Sequence, residues 1–533
     1  MSVILGFAPR SLPARLATVG CRHSQAKLGA LVRQTPRGRT VTTQGCTSIK
    51  DIPLAYTWLT RTPDEITPDD VLSNLSPIPE SLTPSNYVPI ILVTSPFAHW
   101  IDTSSHGFLE QWINRFYPSA NLDPAKPVHA IVAVVDKLPD HRVQSGEAVD
   151  GICTSESEGI SLLLVKADNI QGKVAAPRRV RSMEATESSL VFALQNGTSA
   201  QSSQRPTHEI GLRLANTIFV NGNDNTLLGT RWVYTSSHKY ALEQSVNLSN
   251  CKVTSAVTSV RDSCNLPLYP VGQRRRVISS MGNILRQLAK HTDSQSAEPM
   301  PASSELEKEL PRYIEEHSIA DRRVSVWALI ENYEKGFQVG TDINSQESLI
   351  KAIRTGAKLH RVMSGGGGWG KKQGLLSLDP ETTFVETEED RLLNLGGLFA
   401  PHEADTVSDI PPPPPAFFDM PQLEDSLSTL SQAAGPGDYV QFFVSVEADH
   451  APSPRPEEGG ISFNFGIVSD AETVVQATDR TKKDLVVASH YFGALSEKAI
   501  TYLQPVTGAG TFGEQESSAK FDIPGSRVEV MLQ

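Results

Sequence analysis

At residues 90–94 the chain reads Ile90-Ile91-Leu92-Val93-Thr94, a continuous apolar run that is typical of a strand buried on both faces. A second run of this kind extends from Val128 to Val135, and the segment from Gly107 to Tyr117 between them has the composition of a helix. A strand, a helix and a strand in this order predict a βαβ unit with two parallel strands. We therefore expect an α/β or α+β domain over residues 86–265, built on an N-terminal mixed sheet.

The region after this domain, residues 266–400, carries apolar residues at helical spacing. Between Val277 and His291 they share one helix face, and they are Ile278, Met281, Leu285 and Leu288. Ser304 and Glu307 have the spacing of a capping box, which predicts the start of another helix. The pattern therefore predicts a helical middle region.

The C-terminal part, residues 438–533, has a strand pattern. Apolar residues alternate with polar or exposed positions in two segments, at Val440, Phe442, Val444 and Val446 and at Ile461, Phe463, Phe465 and Ile467. Residues 401–437, which include the run Pro411–Pro415, are predicted to be a Pro-rich disordered spacer. The predicted fold class is thus α/β or α+β, with an N-terminal mixed sheet, a helical middle region and a β-rich C-terminal part.

Charge is distributed unevenly along the 533 residues. Residues 1–50 hold six Arg, two Lys and no Asp or Glu, whereas the whole chain has 48 basic and 60 acidic residues. An Arg-rich, Ser/Thr-rich and acid-free start is typical of a mitochondrial transit peptide. We expect residues 1–40 to be removed on import into the matrix and residues 41–85 to form a Pro/Ser/Thr-rich linker. No apolar run reaches the roughly 18–20 residues of a membrane-spanning helix, so no transmembrane segment is predicted.

A predicted helix from Gln346 to Met363 has one basic face. Its apolar residues share one side and its cations share the other, which are Lys351, Arg354, Lys358 and Arg361. The segment from Lys351 to Lys372 contains six Lys or Arg and no acid. Such a patch in an otherwise acidic chain attracts anions. A solvated helix face is the alternative that the sequence leaves open.

The same helix is predicted to lead into a glycine-rich loop. The loop reads Ser364-Gly365-Gly366-Gly367-Gly368-Trp369-Gly370-Lys371-Lys372. Ordered glycine costs backbone entropy, so such a run is typical of backbone that takes unusual dihedral angles or approaches a partner closely. Its N–H groups could hold a phosphate beside the two lysines, and Trp369 could stack on a base. We predict that this loop and the four helix cations form one binding site.

Patterns that would indicate catalysis fail their structural tests. Gly365 to Lys371 has the spacing of a phosphate-binding P-loop, but Lys372 stands where Ser or Thr must hold magnesium. Ser95, His99 and Asp102 are hydrolase residue types, yet no Gly-x-Ser-x-Gly elbow accompanies them, and helix capping explains the cluster. No cofactor, metal site or catalytic residue is predicted, and the sequence favours a protein that is not an enzyme.

The segment SGGGGWGKKQGLLSLDP, residues 364–380, resembles a family of mitochondrial proteins of filamentous fungi. The basic presequence is similar as well. The resemblance implies a mitochondrial housekeeping role, and it brings no catalytic residues with it.

Three functions remain open from the sequence. The first is a non-catalytic matrix protein that binds RNA, the mitochondrial ribosome or another large assembly through the basic helix and the loop. The second is an enzyme that holds a phosphorylated ligand on the loop. The third is a scaffold or assembly factor for respiratory-chain proteins, in which the loop is a protein contact.

Overall fold

The structure is a computed structural model, and it describes most of the chain after residue 53. The described ranges are 54–102, 107–118, 126–140, 156–176, 187–196, 208–218, 226–257, 260–291, 298–319, 324–332, 342–365, 374–385, 392–400, 432–445, 460–469, 484–505 and 516–532. The predicted transit peptide, most of the predicted spacer at 401–437 and residues 366–373 of the glycine loop lie outside these ranges.

Strands dominate the described residues. They are β1 (Leu54–Thr60), β2 (Tyr87–Thr94), β3 (Val128–Val135), β4 (Leu138–Pro139), β5 (Glu156–Lys166), β6 (Ile170–Val174), β7 (Ser189–Asn196), β8 (His208–Arg213), β9 (Leu227–Tyr234), β10 (Tyr240–Val257), β11 (Val260–Asn265), β12 (Tyr269–Met281), β13 (Ile284–Ala289), β14 (Pro299–Pro301), β15 (Ser325–Glu331), β16 (Lys358–Gly365), β17 (Leu376–Leu378), β18 (Leu393–Asn394), β19 (Tyr439–Ser445), β20 (Ile461–Ile467), β21 (Leu485–Ser489), β22 (Tyr491–Ser496), β23 (Ile500–Pro505), β24 (Glu516–Phe521) and β25 (Arg527–Leu532).

Helices are short in the same part of the chain. The α-helices are α1 (Pro68–Ser73), α2 (Phe108–Phe116), α3 (Ser304–Glu316), α4 (Gln346–Arg354) and α5 (Leu395–Leu398). Short 3₁₀ helices cover Pro63–Glu65, Pro84–Asn86, Ser95–Ile101 and Ala167–Asn169. None of the described helices combines the length with the apolar composition that crossing a bilayer requires.

The predicted βαβ unit is present. Strands β2 and β3 pair in parallel, with Ile90 opposite Ile131, and α2 connects them. All residues of β2 after Tyr87 are buried, because both faces of the strand are covered. Trp112 of α2 packs on this sheet, edge-on to Trp58 at a ring distance of 5.4 Å. The continuous apolar runs were therefore sufficient to predict this unit.

A large mixed sheet contains this unit. Its strand order is β21-β1-β5-β2-β3-β9-β10-β7-β8-β23-β24, and β4, β6 and β18 pair beside that path. A separate four-stranded sheet has the order β11-β25-β20-β22. Both sheets combine strands from early and late parts of the sequence, so the described residues form one compact unit.

A third sheet closes on itself as a six-stranded barrel. The order is β12-β19-β15-β16-β17-β13, and the β12–β13 pairing completes the ring, with β14 added beside β13. Buried apolar side chains from five of the six strands form one cluster, with Val362 of β16 packed against it. The barrel interior is therefore a filled core.

The predicted fold class is wrong for the middle of the chain. The region that was expected to be helical contains strands β12 to β17, and five of these, β12, β13, β15, β16 and β17, form the closed barrel together with β19. The C-terminal part is β-rich, as predicted. However, β19 belongs to the barrel, β21, β23 and β24 belong to the large sheet, and β20, β22 and β25 belong to the four-stranded sheet.

The segment from Val277 to His291 shows why the helix prediction failed. It forms a hairpin, in which Met281 pairs with Ile284 across a turn at Gly282, where φ is +57°. Val277, Leu285 and Leu288 are buried in the barrel core, while Met281 is 62% exposed. The apolar residues recur at helical spacing only because a turn divides two strands. Gly-Asn between apolar runs was the sequence signal for a hairpin.

The predicted linker at 41–85 is also wrong for its described part. Leu54–Thr60 form β1, which pairs with both β5 and β21. Trp58 and Leu59 are almost completely buried there. Proline and threonine flank this strand closely, so a composition count over 45 residues conceals it.

Candidate functional site

The predicted binding site is divided by the structure. Helix α4 ends at Arg354, and after Thr355 and Gly356 the chain continues as strand β16. Gly356 has φ of +104°, the left-handed conformation in which glycine commonly follows a helix. The eight residues of β16 extend about 23 Å at roughly 3.3 Å per residue. Arg354 and Gly365, the first glycine of the loop sequence, therefore lie on opposite sides of this strand's length, and Arg361 lies within it.

We call the first part the helix end, and it comprises Lys351, Arg354 and Lys358. Lys351 is exposed. Arg354 forms an ion pair with Asp262, and its Nε donates to Gln504 Oε1 at 3.2 Å. Lys358 donates to the carbonyl oxygen of Ser518. The prediction of a free basic helix face is thus wrong, because two of its members are engaged by the fold and Lys358 lies on a strand.

Asp262 extends this ion pair into a buried polar network. The hydroxyl of Tyr502 donates to Asp262 Oδ2 at 3.1 Å, and its oxygen lies 2.9 Å from Nδ1 of His208. Burial lowers the pKa of His208, and burial followed by the Asp262 charge raises the pKa of Tyr502 well above its usual range. The phenol therefore stays protonated, and the neutral imidazole must donate from Nδ1 to the phenol oxygen. This network joins α4, β11, β23 and β8.

Cys264 lies two residues from Asp262 on β11 and is half-buried. Burial raises the pKa of its thiol to about 12. A thiol that stays protonated is a poor nucleophile, since the thiolate is the reactive form. The network at the helix end is consequently suited to fixing the position of α4 rather than to chemistry.

Arg361 lies between the two ends of β16. Its guanidinium is 5.7 Å from the ring centroid of Trp327, the residue directly opposite it on β15. It also donates to Ser325 Oγ at 3.3 Å. A cation held over an aromatic ring is attracted by about 0.5–1 kcal/mol at an exposed site. Arg361 is therefore held against the barrel wall.

We call the second part the loop end, and it comprises Met363, Ser364, Gly365, Gly374 and Arg286. Met363 is 64% exposed, and Ser364 and Gly365 are exposed too. The loop residues Gly366, Gly367, Gly368, Trp369, Gly370, Lys371 and Lys372 lie outside the described residues. Exposure of the predicted site is thus concentrated where this loop leaves β16.

At two positions of the loop end, Gly365 and Gly374, the fold itself requires glycine. A Cβ on Gly365 would lie 2.1 Å from Cδ2 of Leu376 on the paired strand. Gly374 has φ of +85°, and a Cβ there would lie 2.7 Å from Cβ of Pro301. The glycine run was expected to allow close approach and unusual dihedral angles. At these two positions it does so for packing within the barrel.

Sequence reasoning missed Arg286. It follows Leu285, which pairs with Leu376, so it lies beside the point where the glycine loop joins β17. Its side chain is exposed and forms no ion pair within the described part of the chain. The helix predicted for this segment concealed it, because only a hairpin brings β13 next to β17. Arg286 adds a cation next to Leu376, the residue that also pairs with Gly365 at the end of β16.

A buried lysine fixes the chain after β17. Nζ of Lys520 lies 2.6 Å from Asp379 Oδ2 and 2.8 Å from Glu381 Oε2. Burial lowers the pKa of Lys520, but its bonds to the two carboxylates outweigh this and raise it. Burial raises the pKa of Asp379, and its bonds to Lys520 and to the N–H of Glu381 reverse that effect. This cluster anchors one end of the barrel to β24.

Comparison with known proteins identifies no relative of this chain. The chain matches no protein-family model, no curated protein and no solved structure.

Proposed function

We propose that the chain is a non-catalytic protein of the mitochondrial matrix that binds RNA within a large assembly through its loop end. One observation carries the proposal. Arg354 and Lys358 of the helix end are engaged by Asp262 and Ser518, whereas Arg286 and the strand residues next to the glycine loop are exposed. Arg286 is then available to phosphates at one end of the barrel, and the sequence supplies Lys371 and Lys372 after Gly365, where β16 ends.

The glycine-rich sequence that follows Gly365 supports the same ligand chemistry. Successive N–H groups without side chains can approach phosphate oxygens, and an indole can stack on a base with little sequence preference. Affinity should therefore depend steeply on salt and weakly on base sequence.

The test uses the full chain and a fluorescently labelled single-stranded RNA of about 16 nucleotides, the upper end of common site sizes. The triple variant Arg286→Glu, Lys371→Glu and Lys372→Glu should lose at least about tenfold in affinity at low salt. The slope of log affinity against log salt should fall by about 2, because three phosphate contacts contribute roughly 0.7 each for a single strand.

Lys351→Glu is the matched control, since Lys351 is an exposed cation at the other end of β16. It should bind RNA within about threefold of the wild type, a difference below 1 kcal/mol. If the triple variant and the control bind RNA equally well, the proposal is wrong.

A protein contact is a second candidate, and Met363 favours it. A flexible thioether that is 64% exposed is suited to packing in a partner's pocket. This would fit a scaffold for respiratory-chain proteins. Met363→Glu should then abolish recovery of a mitochondrial partner that survives ribonuclease, whereas loss of the partner on ribonuclease treatment supports the RNA proposal.

The proposed location is supported by the acid-free, Arg-rich residues 1–50. N-terminal sequencing of the protein from fractionated mitochondria should find a start near residue 40. Recovery of an intact Met1 on protein outside mitochondria would contradict the location.

A further inference from the structure

Strands β20 and β25 place a carboxylic acid directly opposite an amide in the four-stranded sheet. Asn464 of β20 is the register partner of Glu529 of β25. Phe463, Phe465 and Val528 face the main apolar core, so Asn464 and Glu529 point to the opposite face of the sheet. Their exposed fractions are only 4% and 5%. Side chains that are opposite in an antiparallel pair have Cβ atoms about 4.5–5.5 Å apart.

The hydrogen bonds of this pair are incomplete. Oε1 of Glu529 accepts from Ser462 Oγ at 2.9 Å. Oε2 of Glu529 and Oδ1 of Asn464 are both buried and have no hydrogen-bond partner among the described residues. An ionised carboxylate and an amide oxygen are both acceptors only. Each of two buried acceptors on facing residues would then destabilise the fold by its full desolvation cost, about 1–3 kcal/mol or more.

A single proton on Glu529 would give both Oε2 of Glu529 and Oδ1 of Asn464 a hydrogen-bond partner. We propose that Glu529 is held as a neutral carboxylic acid whose Oε2–H donates to Oδ1 of Asn464, and that its ionisation releases strand β25. The bond would cross between β20 and β25 and would add a side-chain link to the ladder. Loss of the proton would place a charge beside an acceptor inside the protein, which favours opening of the strand pair.

Burial and the bond from Ser462 are the two causes that shift the pKa of Glu529, and neither involves a cation of the described residues. Arg527, two residues away on the same face, is bound to Glu156 and to the carbonyl oxygens of Ile467 and Ser526. Arg261 of β11 lies two residues from Ser263, the residue opposite Glu529. It is opposite Met531 and is exposed.

The remaining neighbours are neutral or acidic. Ser263 of β11 is directly opposite Glu529. Burial, and then the nearby Glu529, raise the pKa of Tyr491 on β22; the charge of Arg527 opposes this, and the charge of Asp140 adds to it. Burial raises the pKa of Glu529 itself, against the bond from Ser462. A group whose folded pKa is raised stabilises the fold below its unfolded pKa, and that contribution is lost as pH rises through the folded pKa.

The first measurement is infrared difference spectroscopy on the full chain at neutral pH. The wild type minus Glu529→Gln spectrum should contain the carbonyl band of one protonated carboxylic acid. A carboxylate band in its place overturns the proposal, and it does so equally if a water molecule bridges an ionised Glu529.

The second measurement is backbone amide exchange in β25 across the pH range, corrected for intrinsic exchange. Opening in the wild type should increase about tenfold for each unit of pH between the unfolded and the folded pKa. Glu529→Gln keeps the shape and supplies a permanent donor from Nε2 to Asn464, so its opening should be independent of pH. Equal pH dependence in both proteins overturns the proposal. If Glu529→Gln does not fold, wild-type opening that is independent of pH overturns it too.

Discussion

Arg354 at the end of α4 is bound to Asp262 of β11, a residue 92 positions earlier in the chain. Asp262 in turn accepts from Tyr502, which contacts His208. These residues belong to the four-stranded sheet, to the large sheet and to the helix that leads into the barrel. A cation that the sequence marks as a ligand-binding group is therefore a connection between the sheets.

Arg354→Ala should lower the free energy of unfolding by about 1–3 kcal/mol, because it removes a charged partner from a partly buried carboxylate. The side chains of Arg354 and Asp262 are 27% and 20% exposed. Urea unfolding of Arg354→Ala, Asp262→Ala and the double variant should give a coupling energy of at least about 0.5 kcal/mol. Lys351→Ala, on the same helix but exposed, should change stability by less than about 0.5 kcal/mol. Additive effects at Arg354 and Asp262 would contradict the connection.

Some of this fold could be predicted from the sequence and some could not. The runs at Ile90–Thr94 and Val128–Val135 predicted strands correctly, because short and almost wholly apolar runs are typical of strands buried on both faces. The segment after Arg354 was misread, since Leu359 and Met363 continue the helical spacing by chance. Gly356 was the signal that the helix ends.

For the candidate site, too, the sequence predicted local features but not the contacts between residues that are distant in the chain. The glycine loop is visible in the sequence as a composition, and the structure describes Ser364 and Gly365 before it as exposed and Gly374 after it as buried. Asp262, Ser518 and Arg286 could not be placed near it, because their proximity to β16 depends on pairings between distant strands. One sequence holds no information on such pairings beyond pattern and turn chemistry.

Gly374→Ala should destabilise the protein more than Gly437→Ala. Both glycines have positive φ, +85° and +99°, so alanine at either position is strained by about 1–2 kcal/mol. Only at Gly374 does the added Cβ also meet an atom, Pro301 Cβ at 2.7 Å, whereas nothing lies within 4 Å at Gly437. Overpacking should add about 1–3 kcal/mol at Gly374. The difference in urea midpoint between the two variants measures this addition, and equal midpoints would rule out the contact with Pro301.

His129 should make the protein less stable in mild acid. Burial, followed by the charge of Arg231, lowers the pKa of His129 to about 4. Its ring packs 5.0 Å from that of Phe399. The unfolded chain takes up the proton first as pH falls, so stability is lost between about pH 6.5 and 4, on the order of 2–3 kcal/mol.

His129→Gln should remove that part of the pH dependence, which equilibrium unfolding at several pH values can measure. His317→Gln is the control, because His317 is exposed on the surface after α3. A wild-type pH profile that is unchanged by His129→Gln would show that the ring is not desolvated.

Lys520→Met should lower the free energy of unfolding by about 1–3 kcal/mol, because it removes the cation bound to Asp379 and leaves Glu381 paired with Arg213 alone. The side chain of Lys520 is 7% exposed, and those of Asp379 and Glu381 are 21% and 34% exposed. The pKa of Asp379 is lowered in the folded protein, so its ionic contribution is present above its ordinary pKa and is lost as pH falls through the folded value. The difference in Tm between wild type and Lys520→Met should therefore shrink from pH 7 to pH 3. Neutralising Asp379, with Asp379→Asn in the Lys520→Met background, should recover part of the lost stability, because Glu381 keeps its ion pair with Arg213. If this double variant is no more stable than Lys520→Met alone, Lys520 stabilises the fold through its alkyl chain and not through its charge.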